Sequence, residues 1–481
     1  MSTAIPENRA SFTTESAASA SGGLVVRSHG TRSHVGVTTD SRAVRAGGIF
    51  VALRGERFDG HAFVQGAAKD GATLLVVEKG HPIGSSGDSD VIEVGDTLAA
   101  WGNLARARVV AWKERGGKVV AITGSAGKTT TKELCAALLA SVGAVHATRG
   151  NLNNRIGVPA VALALEDRHA FAVIEMGMSE RGEIARLAEI APPDVSVITN
   201  VGLAHAGGVG GGVETVANEK GAIFAALGEG EIAVANIDDP FVMSQSKRAR
   251  GRVVTFGRAR EASYRLAARE SLGARGSRVT VERAGSSITV DLPLVGEAAA
   301  VDFVAALAAA ESLSGRALDQ TKIDDALATC ALPSGRVSIR RLADGTLVID
   351  DTYNANPDSV RAALSSLVEI AASEKRRTVV VLGEMRELGT HAEEAHAAIG
   401  DAIGGAGVAL LISCGGLADV ALEGAARAGV TIKSALDAES ASKIALSEVL
   451  PGDAVLVKAS RGVAAEVVVE ALVQARGEAR T

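Results

Sequence analysis

The sequence contains little of several residue types, and these shortages narrow the possibilities. Its 481 residues include only 3 cysteines, 10 prolines and 3% aromatic residues. Three widely spaced cysteines (Cys135, Cys330 and Cys414) exclude a disulfide scaffold and lack metal-binding spacing. No apolar run reaches the roughly 18–20 residues of a membrane span, and no secretion signal is evident. We therefore expect a cytoplasmic protein without a membrane partner.

The charge balance bears on whether the protein has a nucleic-acid partner. Lys and Arg number 50 against 56 Asp and Glu, for a net charge of −6, so nothing indicates a nucleic-acid partner. The remaining composition, 47% hydrophobic residues with 55 glycines, is typical of a globular protein, which we expect to be a monomer. The length predicts two or three domains.

The order of patterns along the chain predicts an α/β protein with three domains. Residues 1–23 are small and polar, which predicts a disordered tail. Residues 24–113 contain short strands separated by glycine-rich turns and predict a small α/β domain. Residues 114–334 alternate buried strands with helices, which predicts a mainly parallel sheet, extended by an antiparallel part. Residues 335–481 repeat strand and helix about five times, as a Rossmann-like domain does.

The segment AITGSAGKTTTKE, residues 121–133, predicts a phosphate-binding loop. It lies between a β-branched strand and a helix, so glycine backbone amides and the positive helix end can face an anion. Lys128 would supply charge to the outer phosphates, and the Thr129 hydroxyl could bind Mg²⁺. The loop is short, because Ile122 stands where the common motif has its first glycine.

Further polar residues follow predicted strands, where α/β sheets place their ligands. Glu175 directly follows an apolar strand, and a buried carboxylate there needs a cation such as Mg²⁺. His205 lies in a glycine-rich loop, Lys220 lies on the next helix, and Asp351 ends a later strand. Taken singly, each has an ordinary explanation: a carboxylate at a strand end, a loop histidine or a solvated helix face.

Six segments in order resemble the Mur ligases of bacterial cell-wall synthesis. They are TGSAGKTTTKE, GNLNNRIGVP, IEMGMSERGEI, DDTYNANPDS, LGEMRELG and LVKASRG. The segment TTDSRAVRAGGIFVALRGERFDGHAF also resembles the UDP-binding domain of this family. Within the family, the likeness is to the member that adds D-alanyl-D-alanine to UDP-N-acetylmuramoyl-tripeptide, with ATP and Mg²⁺ as cofactors.

The resemblance implies a role for each site residue. Lys128, Glu175, His205 and Lys220 would be catalytic, and the magnesium ligands would be Thr129, Glu175, His205 and a carbamylated Lys220. ATP would contact Gly124, Ser125, Ala126, Gly127, Lys128, Thr129, Thr130, Arg336 and Asp351. The substrates, UDP-MurNAc-tripeptide and D-Ala-D-Ala, would contact Ser41, Arg42, Asn153, Asn154, Tyr353, Asn354, Asn356, Lys458, Ser460 and Arg461.

Two departures from the family pattern are present. Ala298, Ala299 and Asp302 stand where the family has a His-Asn pair and a later Asn, in a segment that contributes to adenine contacts. The loop after His205 reads AGGVGG where larger residues are common, and we expect it to be more flexible.

Two other interpretations remain open. A sister ligase would add diaminopimelate or lysine to UDP-MurNAc-dipeptide, but its Asp-Asn-Pro-Arg segment is absent. A nucleotide-operated binding module would hydrolyse or exchange nucleotide without a UDP-sugar peptide.

Overall fold

The computed structural model describes residues 3–55, 59–83 and 87–479. Residues 1 and 2 of the predicted tail, residues 56–58 and 84–86 of the predicted domain 24–113, and residues 480 and 481 of the last predicted domain lie outside this range. Three large sheets and one two-stranded sheet organise the described residues, and the mixed α/β class predicted from the sequence is confirmed. No helix within the described residues is both long and apolar enough to cross a membrane.

The N-terminal domain is built on a five-stranded sheet. Its strand order is β2-β7-β6-β5-β4, with β2 antiparallel to β7 and the other pairs parallel. The elements are β1 (Ser11–Thr13), α1 (Thr14–Ser21), β2 (Leu24–Arg27), β3 (Ser33–Val35), β4 (Val37–Thr38), β5 (Gly48–Val51), α2 (Val64–Lys69), β6 (Ala72–Glu78), β7 (Asp90–Val94) and α3 (Thr97–Lys113).

The prediction of a disordered tail over residues 1–23 is wrong for residues 11–21. Strand β1 pairs with β3, and α1 is capped by a reciprocal Thr13–Ser16 pair and ends at Gly22, whose φ is 73°. Ala17 is fully buried, because α1 packs on α3. Small side chains, which resemble a solvated tail in composition, here allow close helix packing.

The central domain contains a nine-stranded sheet in the order β16-β15-β14-β13-β12-β11-β8-β10-β9. The seven strands β14-β13-β12-β11-β8-β10-β9 are parallel to their neighbours in the sheet, whereas β15 is antiparallel to both β14 and β16. The sequence predicts this combination of a parallel and an antiparallel part. The elements are β8 (Lys118–Thr123), α4 (Lys128–Ala140), β9 (Val145–Ala147), α5 (Gly157–Leu163), β10 (Phe171–Glu175), α6 (Glu183–Ile190), β11 (Val195–Ile198), α7 (Ala206–Val209), α8 (Val213–Lys220), α9 (Ala222–Ala225), β12 (Ile232–Asn236), α10 (Pro240–Ser246), β13 (Arg252–Gly257), β14 (Tyr264–Ser271), β15 (Ser277–Arg283), β16 (Ser286–Leu292), α11 (Glu297–Ser314) and α12 (Gln320–Thr329).

The C-terminal domain has a six-stranded sheet in the order β17-β18-β22-β19-β20-β21. Only β17 is antiparallel to its neighbour, so the predicted doubly wound pattern is confirmed. The elements are β17 (Ser338–Arg341), β18 (Leu347–Asp351), α13 (Pro357–Glu374), β19 (Thr378–Leu382), α14 (Ala392–Gly405), β20 (Leu410–Ser413), α15 (Val420–Arg427), β21 (Thr431–Ser434), α16 (Ala438–Glu448), β22 (Ala454–Lys458) and α17 (Glu466–Arg476).

Helix α13 belongs to the C-terminal domain but touches the central domain along its whole length. It begins with a capping box at Asn356 and Pro357 in its first turn. From the first turn to the last, its contacts with the central domain are Asn356 with Ser125, Ser366 with Gly296, Glu369 with Arg269, and Ser373 with Gly273. The two domains therefore share one wall of the space between them.

Candidate active site

The loop between β8 and α4 has the geometry of a phosphate-binding loop. Gly124 and Gly127 have φ values of 159° and 80°, which side-chain-bearing residues rarely adopt. Their surroundings also exclude a side chain: a Cβ would lie 1.8 Å from the Thr199 hydroxyl at Gly124 and 2.2 Å from an Asp302 oxygen at Gly127. Helix α4 begins at Lys128, so its positive end faces the loop.

The loop is held in place by the residues that follow β11. The Asn200 carboxamide oxygen accepts a hydrogen bond from the Ala126 amide at 2.8 Å, and the Asn200 carbonyl accepts one from Ser125 N at 3.0 Å. The Thr199 hydroxyl donates to the Ala126 carbonyl at 2.6 Å. Sequence reasoning missed both residues, although they directly follow a buried strand that neighbours β8.

Two lysines, the half-buried Lys128 and the buried Lys220, converge on one carbonyl oxygen of the loop. Nζ of Lys128 donates to the Gly124 carbonyl at 2.7 Å, and Nζ of Lys220, at the end of α8, donates to the same oxygen at 3.1 Å. Burial lowers the pKa of Lys128, against the opposing charge of Glu175. Burial and the charge of Lys128 lower the pKa of Lys220 well below its ordinary value. This environment favours a neutral Lys220 amine.

Glu175 ends β10 beside the phosphate loop and is buried. The Thr129 hydroxyl donates to Oε2 at 2.7 Å and the Asn153 amide donates to Oε1 at 2.8 Å. The Thr148 hydroxyl oxygen accepts a hydrogen bond from the backbone amide of Glu175 at 3.0 Å. Helix α4 and the segment between β9 and α5 therefore fix Glu175 in place, as expected for a group that must be pre-arranged.

His205 faces a carboxylate from the C-terminal domain. Its Nδ1 lies 2.5 Å from an oxygen of Glu387, in the loop that follows β19. The contact with His205 lowers the pKa of the Glu387 carboxyl, and the charge of Lys128 adds to this effect. Two loops from different domains thus meet at the edge of the site.

The C-terminal domain presents a second group of polar residues at the ends of β18 and β22. Asp351 and Lys458 form a buried ion pair, and Lys458 also donates to the Asn354 carbonyl at 3.0 Å. The guanidinium of Arg336 lies 3.9 Å from the centre of the Tyr353 ring. The Asn356 amide donates to the Ser125 carbonyl at 3.2 Å and links this group to the phosphate loop.

These groups surround a cavity of about 330 Å³ between the central and C-terminal domains. Most predicted site residues line it: Ser125, Ala126, Gly127, Lys128, Thr129, Thr130, Asn153, Asn154, Glu175, His205, Arg336, Asp351, Tyr353, Asn354, Asn356 and Lys458. Gly124 and Lys220 contact each other just beneath the loop.

Besides Gly124 and Lys220, four predicted residues do not line this cavity. Ser460 supports the wall, since its hydroxyl donates to the Ala355 carbonyl at 3.2 Å and accepts from Arg386 N at 2.9 Å. Arg461 lies 5.0 Å from the Tyr353 ring centre. Ser41 and Arg42 form a turn of the N-terminal domain, where Arg42 is exposed and paired with Asp40 at 2.7 Å.

Comparison with known proteins identifies the family. Three family models match: "Mur ligase family, catalytic domain" at residues 34–109, "Mur ligase middle domain" at 122–310, and "Mur ligase, glutamate ligase domain" at 335–461. The UDP-N-acetylmuramoyl-tripeptide--D-alanyl-D-alanine ligase of Escherichia coli is 37% identical over 88% of this chain and 90% of its own length. The chain belongs to the Mur ligase family.

Solved Mur ligase structures agree with this assignment. MurF from Acinetobacter baumannii superposes with a TM-score of 0.86 at 29% identity, covering 97% of this chain and 100% of its own. The MurF ligase of Thermotoga maritima in complex with ADP has a TM-score of 0.78 at 30% identity, covering 91% and 97%.

One departure from the Mur ligase pattern lies directly against the phosphate loop. Asp302, on α11, is buried next to Gly127, and burial raises the pKa of its carboxyl to about 8. Ala298 and Ala299 line the same wall of the cavity. At neutral pH the site therefore favours the protonated, uncharged carboxyl of Asp302. This form resembles an asparagine side chain in shape and charge.

The residues of this Mur ligase fit a magnesium ion held together with nucleotide phosphates. No group of three or more His, Cys, Asp or Glu able to hold a metal occurs in the described part of the chain. Mg²⁺ usually takes one or two carboxylates and completes its shell with phosphates and water. The Thr129 hydroxyl and the Glu175 carboxylate lie together beside the phosphate loop, and they supply oxygen donors of the kind that magnesium takes.

Proposed function

We propose that this Mur ligase uses ATP to join D-alanyl-D-alanine to UDP-N-acetylmuramoyl-tripeptide through an acyl phosphate. The observation that carries the proposal is the cavity at which Lys128 and Glu175 of the central domain meet Asp351, Asn354 and Lys458 of the C-terminal domain. The curated relative from Escherichia coli, similar over most of both chains, bears the name of this activity.

The central domain would bind ATP and the acceptor carboxylate. The backbone amides from Gly124 to Thr130 and the Lys128 ammonium would hold the β- and γ-phosphates. Thr129, Glu175 and His205 would hold magnesium, which neutralises the charge that otherwise separates two anionic reactants. Asn153 and Asn154 would lie beside the acceptor, since both line the cavity next to Glu175.

Lys220 is proposed to act as a carbamate. Carbamylation requires a neutral amine, and the burial of Lys220 beside Lys128 favours that form. The product would be an anion able to bind a second magnesium, where a free ammonium would repel it.

The outer domains would bring the other substrates. The proposed limits are residues 24–113 for a UDP-sugar-binding domain with Ser41 and Arg42, and 335–481 for a dipeptide-binding domain, on either side of an ATP-binding domain at 114–334. Arg336 and Asp351 would contact ATP, whereas Tyr353, Asn354, Asn356, Lys458, Ser460 and Arg461 would face the substrates.

The chemistry requires two displacements in sequence. An oxygen of the tripeptide's terminal carboxylate attacks the γ-phosphorus, and ADP leaves. The amine of the dipeptide then attacks the acyl carbon, and the tetrahedral intermediate expels phosphate to form the amide. Of the two protons lost from the ammonium group, one leaves with phosphate and one passes to solvent.

The deciding experiment is phosphate release with ATP, UDP-MurNAc-tripeptide and one amine at a time. D-Ala-D-Ala is expected to give the highest kcat/KM, because a site that pairs polar groups with a peptide bond rejects an amine lacking that bond. Arg386 and Arg461 are the candidate partners for the dipeptide carboxylate. Preference for lysine or diaminopimelate would favour the sister ligase, and ATP turnover without any UDP-sugar peptide would favour a binding module.

A further inference from the structure

The contact between His205 and Glu387 joins two residues that are 182 positions apart in sequence. His205 Nδ1 lies 2.5 Å from the Glu387 carboxylate, so the contact joins the central domain's site to a loop of the C-terminal domain. The Glu387 carbonyl also accepts a hydrogen bond from the backbone amide of Gly207 at 3.3 Å. Side chain and backbone of one residue therefore both reach the loop that carries His205.

Both residues hold an unfavourable backbone conformation. His205 has a φ of 65° and Glu387 a φ of 66°, in the left-handed region that non-glycine residues rarely occupy. Such conformations cost about 1–3 kcal/mol each and are concentrated at functional sites, where the surrounding structure enforces them. The strain is matched across the domain boundary, which indicates that the two loops are built to meet.

The glycines after His205 have a specific steric role. A Cβ on Gly207 would lie 2.8 Å from the Gly389 amide, and one on Gly208 would lie 1.9 Å from the Ser179 carbonyl oxygen. The AGGVGG loop is therefore glycine-rich where backbones approach closely, and a side chain at Gly207 would push the Glu387 loop away. This accounts for the departure that the sequence alone suggested was a gain in flexibility.

We infer that Glu387 is a positioning residue for His205, brought to the metal site by the C-terminal domain. A histidine that binds a metal through one ring nitrogen is normally oriented by an acceptor at its other nitrogen. Glu387 places a carboxylate oxygen 2.5 Å from Nδ1, a charge contact without regular hydrogen-bond geometry, and Nε2 remains for a metal ion. The ligand set that includes His205 is then complete only when the C-terminal domain lies against the central domain. The inference rests on the proposed function, which places magnesium at this histidine.

The test measures metal binding directly. Mn²⁺ replaces Mg²⁺ in the presence of a non-hydrolysable ATP analogue, and electron paramagnetic resonance gives its affinity. Glu387→Ala is expected to weaken Mn²⁺ binding by about 10–100-fold, the usual effect of losing such a partner. Glu387→Gln keeps an acceptor oxygen and should recover part of the loss. Electron spin echo envelope modulation should detect an imidazole nitrogen bound to Mn²⁺ in the wild type, and this nitrogen signal should be weaker in Glu387→Ala.

The matched control is Glu393→Gln, which removes the same charge from an exposed position in the first turn of α14. It should leave Mn²⁺ affinity and the nitrogen signal unchanged. If both Glu387 variants bound Mn²⁺ as tightly as the wild type and gave the same nitrogen signal, this inference would be overturned and the proposed function would stand. A wild type that binds neither the analogue nor Mn²⁺ would overturn the proposed function, and this inference with it.

Discussion

Replacing Asp302 with asparagine is expected to stabilise the central domain, and increasingly so as the pH rises. Burial raises the pKa of Asp302 from an ordinary value of 3.8 to about 8. Between these two values the folded protein retains a proton that the unfolded chain releases. Stability therefore falls as pH rises through this window, by about 1.4 kcal/mol per pH unit. Asparagine has a similar shape, carries no charge and removes this dependence.

The magnitude follows from the width of the window. At pH 7 the penalty of Asp302 amounts to roughly 4 kcal/mol, and it levels off above about pH 8, where both states are ionised. For a domain of this size, 1 kcal/mol shifts the melting temperature by roughly 2–4 °C. Asp302→Asn should thus raise the melting temperature of the central domain by about 10 °C at pH 7 and by little near pH 4.

Differential scanning calorimetry at several pH values provides the assay, with the domains resolved as separate transitions where they unfold independently. Asp325→Asn, which removes an exposed carboxylate from α12 of the same domain, is the matched control. Parallel pH curves for Asp302→Asn and wild type would refute the reasoning, because they would show that Asp302 ionises alike in the folded and unfolded states.

Three further predictions concern the reaction and the domain arrangement. Lys128→Ala and Glu175→Ala should fold normally but lose about 10²–10³-fold or more in ATP-dependent amide formation; retention of more than about a tenth of the wild-type rate would contradict the assigned role. Lys220→Ala should be inactive and partly rescued by short carboxylic acids, and wild-type activity should fall when CO₂ is removed from the buffer; full activity of the variant would exclude a carbamate. Hinges are expected near residues 112–117 and 332–336, and X-ray scattering should change when an ATP analogue and UDP-MurNAc-tripeptide are added together, because reacting groups must approach to roughly 3–3.5 Å; an unchanged profile would argue against closure.

Local patterns were sufficient to predict the parallel strands and the phosphate loop. The β-branched strand predicted before the loop is β8, with the sequence KVVAIT, and α4 begins at Lys128, directly after the last glycine of the loop. Both depend on interactions between residues close in sequence: β-branched side chains, glycine conformations and helix capping. The position of Glu175 beside the cavity was also predictable, since it ends an apolar strand at the edge of the sheet where ligands bind.

Contacts between distant segments could not be predicted in the same way. The packing of α1 depends on complementary small residues on α3, and no property of residues 11–21 alone reveals it. Asn200 anchors the phosphate loop only because β11 neighbours β8 in the sheet. Glu387 meets His205 because two domains approach each other, and its sequence neighbourhood carries no sign of that partner.

The contacts of α13 have a mechanical consequence for any opening of the cavity. The helix has 18 residues, which corresponds to a length of about 27 Å, and it touches the central domain at both ends and in between. Pulling the C-terminal domain straight away would break all of these contacts at once. Rotation of that domain about the long axis of α13 would instead keep the helix in contact with the central domain. Asn356, on the axis, would then stay near the phosphate loop, while loops off the axis, such as that of Glu387, would swing through an arc.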